Sequence, residues 1–579
     1  MSRSPGCVPD SSRLRSLALV LVALLAWPAP AVGQAISLPT IHAAPRAGSI
    51  EIDGRLHERE WTTVDPFDAF VQGEPMEGGP AEAPTSVRVL YDRDAIYIGA
   101  RMDDPAAGSI ARQLTRRGEV GDAVDHFEVS FDSNNDRRTA YTFRVTAAGV
   151  QSDRYRYDDT SEDGNWEAVW AAAVHHDEGG WSVEMRIPLS QLRFDPSDEP
   201  QSWGINFARR RVQSNEVSYF ALESRERYGG VSIFGRLEGL ELPRAIRRIE
   251  VRPYTLGMTR GAPAVEANPF FDGSEHQGKV GADVRYGLGS TFVLDLTVNP
   301  DFGQVEVDPA VINLTAFETF FPERRPFFTR DDRIFDFELT GPRNNLFYSR
   351  RIGRSPQGSV PSADFTSVPG ETRILGAAKV TGRTRDGFNI GALVALTPVE
   401  RGRLFDRVTA ETRDFEVEPQ TIYGVLRASR ELRGGDSHAG AIFTTTQRSL
   451  SSSARLLDEL NSASYTGGVD FKHSWGDRGW QLAGIAAAST VRGSPQAILR
   501  TQSSSTHYFQ RPDADPVRVD STATSLTGGE WRLQIDRRTG RHWTWTAWAG
   551  QRAPGLEVND IGYAPDGERI HGGGAAHLR

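Results

Sequence analysis

The feature that most constrains this chain is a series of long hairpins in its second half. In GKVGADVRYGLGSTFVLDLTVNPDF, residues 278–302, Val280, Ala282, Val284 and Tyr286 alternate with Gly281, Asp283 and Arg285. After a turn at residues 287–290, Phe292, Leu294, Leu296 and Val298 alternate with Val293, Asp295, Thr297 and Asn299. The pattern recurs in ILGAAKVTG with FNIGALVAL, QTIYGVLRAS with HAGAIFTTT, YTGGVDFKH with WQLAGIAAAS, and WRLQID with HWTWTAWAG. Period-2 alternation argues for half-buried strands rather than helices. Each run spans about 9–11 residues, the length of a tilted strand crossing a bilayer. A soluble sandwich gives the same alternation. Three features favour the membrane: successive long hairpins, aromatics at strand ends (Tyr286, Phe302, Trp475, Trp480, Trp543), and ionisable residues repeating on the second face, which suit a wet lumen.

The chain has 579 residues and a net charge of -10, with no basic block, so nucleic acid is excluded as the expected partner. Residues 1–33 read as a signal peptide. Arg3, Arg13 and Arg15 precede the apolar core LALVLVALLAW, and Ala31 and Gly33 place cleavage before Gln34. The single cysteine, Cys7, lies in this segment, which leaves a mature chain without disulfides or cysteine metal sites. No other stretch reads as a membrane-spanning helix. The chain is therefore expected to be exported, and then soluble or embedded as a barrel.

Residues 41–243 read as short strands in succession. SVRVLYDRDAIYIGARM pairs Val87, Val89 and Tyr91 with Ile96, Ile98 and Ala100 across a polar turn. HFEVSF, YTFRV and GWSVEMRIPL each put apolar residues on one face, as in a β-sandwich. Together with IDGRLHEREW and the stretch ending AAGV, these segments resemble the family 9 carbohydrate-binding module, a sandwich of the DOMON type. The resemblance implies glycan binding and, in some members, bound calcium.

Sugar sites need aromatic faces for stacking and polar side chains for hydroxyls. DRYRYDDTSEDGNWEAVW, residues 153–170, offers Tyr155, Tyr157 and Trp166 among acids, and its Asp, Gly and Asn density reads as a loop. Trp170 and Trp61 read as core. Trp166 is equally compatible with core and with binding. Arg101 and Asp125, at strand ends, are further candidates to bond sugar hydroxyls, with surface ion pairing as the alternative. Asp132, Asn134 and Asp136 are spaced like the first half of a calcium loop, but Arg137 stands where Gly is expected and no closing Glu follows. A hairpin turn is the simpler reading of DSNND.

From residue 247 to 579 the chain resembles an uncharacterised outer-membrane family, domain of unknown function 5916. Its marker is NPDFGQVEVDPAVINLTAFETFFPERRPFF, continued by LFYSRRIGR. The resemblance implies a barrel in the outer membrane of a Gram-negative bacterium, in contact with lipid, and no established reaction. In the marker, Asp301, Glu306 and Asp308 are expected to leave the bilayer. Residues 316–330 form either an inward plug, with Phe320, Phe321, Phe327 and Phe328 packed and Glu323, Arg324 and Arg325 paired, or an ordinary loop anchored at the headgroups. The chain ends GGGAAHLR without the usual amphipathic strand, and about eleven barrel strands are legible. The expectation is a barrel whose C-terminus is cut short.

The overall expectation is an all-β chain, a sandwich followed by an antiparallel transmembrane barrel. Its module binds an oligo- or polysaccharide for glycan capture or carbohydrate catabolism, from the periplasm or the cell surface. A glycoside hydrolase with its site in the module is the alternative, as is a structural or adhesive surface protein. Motifs of other enzyme classes are absent in any supporting context.

Overall fold

The structure, a computed structural model, describes residues 38–578 except 119–120, 165, 195–198, 225–228, 243–248, 290, 301–311, 316–317, 385, 451–452, 513–516 and 541. The signal segment 1–33 with Cys7, and Asp301, Phe302, Glu306 and Asp308, lie outside the described residues. No described helix is long and apolar enough to cross a membrane.

Two sheets form the N-terminal module. One runs in the order Thr40–His42, Gly235–Leu240, Gln201–Arg211, His126–Asp132, Ala140–Thr146, Gln151–Tyr157 and Ser161–Asp163. The other runs Ala171–Asp177, Gly180–Pro188, Ala95–Asp103, Thr85–Tyr91 and Ala44–Pro45. Val87 pairs with Ala100, Val89 with Ile98 and Tyr91 with Ile96, the register the alternation predicts. The core between the sheets is built wholly from residues 41–242.

The second sheet is also covered on its other face. Trp61, in the short 3₁₀ helix Arg59–Thr63, is buried against Leu90 and Tyr97. Gly99 makes room, since a Cβ there would come within 2.9 Å of the Trp61 ring. Glu184 accepts hydrogen bonds from Trp61 Nε1 at 2.8 Å and from the amides of Asp53 and Gly54.

The second half forms one antiparallel sheet of twelve strands in chain order, from Ile249–Gly261 to Arg569–Leu578. Five of its connections are short turns at one end, as between Phe292 and Leu288 or Trp475 and Trp480. The other end carries the long connections, including residues 299–375. A hairpin there, Glu400–Asp406 with Glu411–Glu418, joins Phe365–Ser367 in a small fourth sheet that the sequence pattern did not reveal. Among the described residues the first and last strands of the large sheet each pair on one side only, so the sheet is open. The twelfth strand is RIHGGGAAHL, one more than the alternation showed, and it is not amphipathic. Three glycines hide any alternation, and pairing with Trp543–Arg552 holds the segment extended.

Burial in this sheet is inverted relative to a soluble protein. Leu426 is 52% exposed while the adjacent Arg427 is 4% exposed. Val298 is 59% exposed and Thr297 2%. The polar face is covered by chain that folds onto it. Phe327, Phe328, Phe335, Phe337 and Leu346 pack with Leu556 and Ile561 against Ala377, Leu393, Tyr423 and Val425 of the strands. The segment after residue 317 thus folds inward onto the sheet, as a plug would. Arg325 pairs with Glu323 at 2.7 Å, donates to the carbonyls of Ile352 and Ser349, and lies 4.2 Å over the Phe328 ring. Phe320 stacks on Tyr348 at 5.0 Å.

Candidate functional site

The stretch read as a loop begins as two short strands and is loop where Trp166 sits, since residues 166–170 belong to no strand. Gln151–Tyr157 and Ser161–Asp163 pair, with positive-φ Asp158 and Asp159 between them. The Asp and Gly density marked that tight turn and concealed the strands around it. Tyr155 pairs with Tyr141 on the neighbouring strand, ring centroids 5.3 Å apart. Trp166 lies 5.1 Å from Tyr141 and meets Phe143 edge-on at 5.7 Å. Asp153 anchors the segment that carries it, accepting from the amide of Ala168 and from Arg117. Trp170 is buried, edge-on to Phe143 at 5.2 Å. Trp61 and Trp170 are therefore core, as expected, and Trp166 is half-buried, packed on one side only.

That free side of Trp166 opens on a cavity of about 580 Å³. Tyr141, Tyr155 and Tyr157 line it from the module. Asp332, Arg333, Asp336 and Phe337 line it from the plug, and Arg427, His438, Asp470 and Lys472 from the large sheet. The Arg333 guanidinium covers the Tyr157 ring at 5.0 Å. Burial pushes the Tyr155 hydroxyl far above its usual range. Burial, with Asp336 and Asp163 nearby, pushes the Asp332 carboxyl up to about 7.

Charge pairs join the module to the short-turn end of the sheet and to the plug. Arg478 meets Asp159 at 3.1 Å, Arg138 meets Glu431 at 3.4 Å, and Arg333 meets Asp163 at 3.3 Å. Arg383 pairs with Asp136, Lys472 with Asp158, and Arg193 with Asp331.

The structure gathers Tyr155, Tyr157 and Trp166 but leaves two candidates elsewhere. Arg101 lies on the other sheet, bound to Asp177 at 2.6 Å and Asp103 at 2.9 Å. Asp125 is buried and accepts from the Val212 amide at 2.8 Å; burial raises its pKa. A strand-end position fixes neither the sheet nor the end: Asp125 precedes His126–Asp132 at the end opposite Asp136, which lines the cavity. Asp132 accepts from the amides of Asp136 and Arg137, and Asp136 from Arg138, Thr139 and Arg383. With Asn134 they close a hairpin turn, and burial beside Asp136 raises Asp132 well above the usual carboxylate range. Among the described residues no group of three or more His, Cys, Asp or Glu is placed to hold a metal ion.

Sequence reading missed Tyr141, taken for plain core, and the plug residues Asp332, Arg333 and Asp336. The only local signal for the latter was the charge density of RDDRIFDFE inside an aromatic run.

Residues 52–237 match the family described as carbohydrate family 9 binding domain-like. Residues 247–456 match the domain of unknown function DUF5916. The chain carries a family 9 module followed by a DUF5916 domain. No curated protein matches it. Among solved structures, a family 9 module from Caldicellulosiruptor kristjanssonii in complex with cellotriose is 17% identical, with 35% of this chain and 93% of that one covered and a TM-score of 0.26. A putative carbohydrate-binding protein from Bacteroides uniformis is 14% identical, covering 35% and 99%, with a TM-score of 0.29. OmpT, an outer membrane protein of Vibrio cholerae, is 9% identical, covering 57% and 96%, with a TM-score of 0.23. The family 9 module is the part that holds Trp166 and its tyrosines, and the DUF5916 domain supplies the opposite wall of the cavity.

Proposed function

We propose that this chain is an outer-membrane protein whose family 9 module captures oligosaccharide through Trp166, Tyr155 and Tyr157. The observation that carries the binding reading is the half-buried indole of Trp166. It is braced by Tyr141 and Phe143 on one side and lines a cavity with two tyrosines and several charged side chains on the other. Aromatic faces beside hydrogen-bonding groups suit a pyranose, whose ring hydrogens stack while its hydroxyls are bonded. The match of residues 52–237 to the carbohydrate family 9 binding domain-like family supports the same reading.

The membrane placement rests on the inverted burial. Apolar residues such as Ile422, Leu426, Phe443 and Val469 face outward, and Arg427, Thr444 and Thr466 face inward. Exposed Trp543 and the stacked pair Trp475 and Trp480, 6.1 Å apart, cluster at the short-turn end, where an aromatic girdle belongs. Outer-membrane barrels keep their short turns in the periplasm. The module, attached at that end, is then periplasmic.

The test is calorimetric titration of the detergent-solubilised full chain with cellotriose and other neutral oligosaccharides. Binding that Trp166→Ala weakens at least tenfold supports the reading. A wild-type chain that binds none of them, or a Trp166→Ala chain that binds as well, refutes it. Release of reducing ends during the titration favours the hydrolase alternative. Cell fractionation checks the membrane, and recovery with the soluble periplasmic proteins contradicts it.

A further inference from the structure

Resting on the module's carbohydrate reading, we infer that the oligosaccharide site is composite. The ligand would be a short neutral oligosaccharide, held between the module's aromatics and the inner wall of the large sheet. The cavity's volume of about 580 Å³ falls in the range of roughly 300–1,000 Å³ typical of small-ligand sites, so it suits a short oligosaccharide rather than a polymer chain.

The wall opposite the module is polar in a way that a sugar can use. His438 gives Nε2 to Asp470 at 3.0 Å while its buried Nδ1 has no hydrogen-bond partner. Gln534 and Asn389, from two further strands, also line the space.

The charges argue for a neutral ligand. Asp136, Asp158, Asp163 and Asp470 on the lining already meet Arg383, Lys472, Arg333 and Arg427. Asp332 has no ion-pair partner within 4 Å among the described residues. A uronate or sulfate would enter a space whose cations are mostly spent, beside that carboxyl.

Ala483 lines the cavity from the sheet, far along the chain from the module and outside its charge pairs. Cys7 is the chain's one cysteine and lies in the expected signal segment, so Ala483→Cys gives the mature chain a single thiol for maleimide. Labelling is measured on the full chain in detergent, with and without saturating cellotriose. Slower labelling with cellotriose, by fivefold or more, is the expected result. Equal rates overturn the composite site. As a second measurement, Ala483→Phe, which fills the space, is expected to weaken cellotriose binding at least tenfold. If Trp166→Ala abolishes binding while Ala483→Phe binds like wild type, the module reading stands and the composite site falls. If the wild-type chain binds no neutral oligosaccharide, both fall. An oligogalacturonide that binds more tightly than cellotriose overturns the choice of a neutral ligand.

Discussion

Lys472, near the end of the sheet strand Ala463–Trp475, bonds to the carboxylate of Asp158, in the tight turn that follows the module strand Gln151–Tyr157. Burial opposes ionisation of Asp158, but Lys472 and Arg138 hold its carboxyl well below the usual carboxylate range.

Both side chains keep more than a third of their exposure, 39% and 36%, so this pair is screened and is expected to contribute only about 0.2–1 kcal/mol. A double-mutant cycle of Lys472→Ala and Asp158→Ala on the denaturation midpoint should return a coupling of that size. A coupling of several kcal/mol would mean that the exposed rim, rather than the buried pairs, holds the module to the sheet.

Glu184 gives the module a pH dependence. Burial pushes its carboxyl up to about 7, against the opposing hydrogen bonds from Trp61, Asp53 and Gly54. The folded value lies above the unfolded value of about 4.3, so the folded state favours the protonated acid. Its contribution is complete below about pH 4.3 and is lost as pH rises through about 7, with a size of the order of 3 kcal/mol. Wild type should lose stability relative to Glu184→Gln between pH 5 and pH 8. A gap between the two that stays constant over that range contradicts the assignment.

Trp170 and Trp166 should separate by stability. Trp170 is buried in the sandwich core, and Trp170→Ala is expected to cost about 3–5 kcal/mol. Trp166 packs on one side only, so Trp166→Ala should lower the melting temperature distinctly less. Equal losses would make Trp166 a packing residue.

Leu426 faces outward from the middle of its strand, Thr421–Leu432. In a bilayer, Leu426→Arg should cost roughly 2–4 kcal/mol and reduce the membrane-inserted fraction, while Leu426→Phe should not. Unchanged insertion of the arginine variant would show that this face meets water.

Arg325 is buried with Glu323 beneath the plug aromatics. Arg325→Leu leaves a buried carboxylate without its partner and is expected to cost about 3–5 kcal/mol, seen as faster proteolysis within residues 318–352. Arg325→Lys should rescue little, because one ammonium cannot reach Glu323 and two carbonyls together.

Much of the fold could be read from local pattern. Val89 pairs with Ile98, Asp295 turns inward and Leu296 outward because period-2 alternation fixes a strand's faces once one face is buried. Arg569–Leu578 carried no such pattern and becomes a strand only through its neighbour. At the site, Trp166 and its tyrosines were legible as aromatics among acids. What faces them was not, because Lys472 lies 314 residues from Asp158 and Arg333 170 residues from Asp163. Arg101 and Asp125 lie away from the cavity, and their partners were equally hidden: Asp177 is 76 residues from Arg101, and Val212 is 87 from Asp125.

The plug leaves and rejoins the sheet at the long-loop end, beyond Val298 and Gly376, yet carries Arg333 to Asp163 and Tyr157 at the module. One covalent stretch therefore meets both rims of the sheet, and the face of Tyr157 is covered by a guanidinium that the module's own chain does not supply.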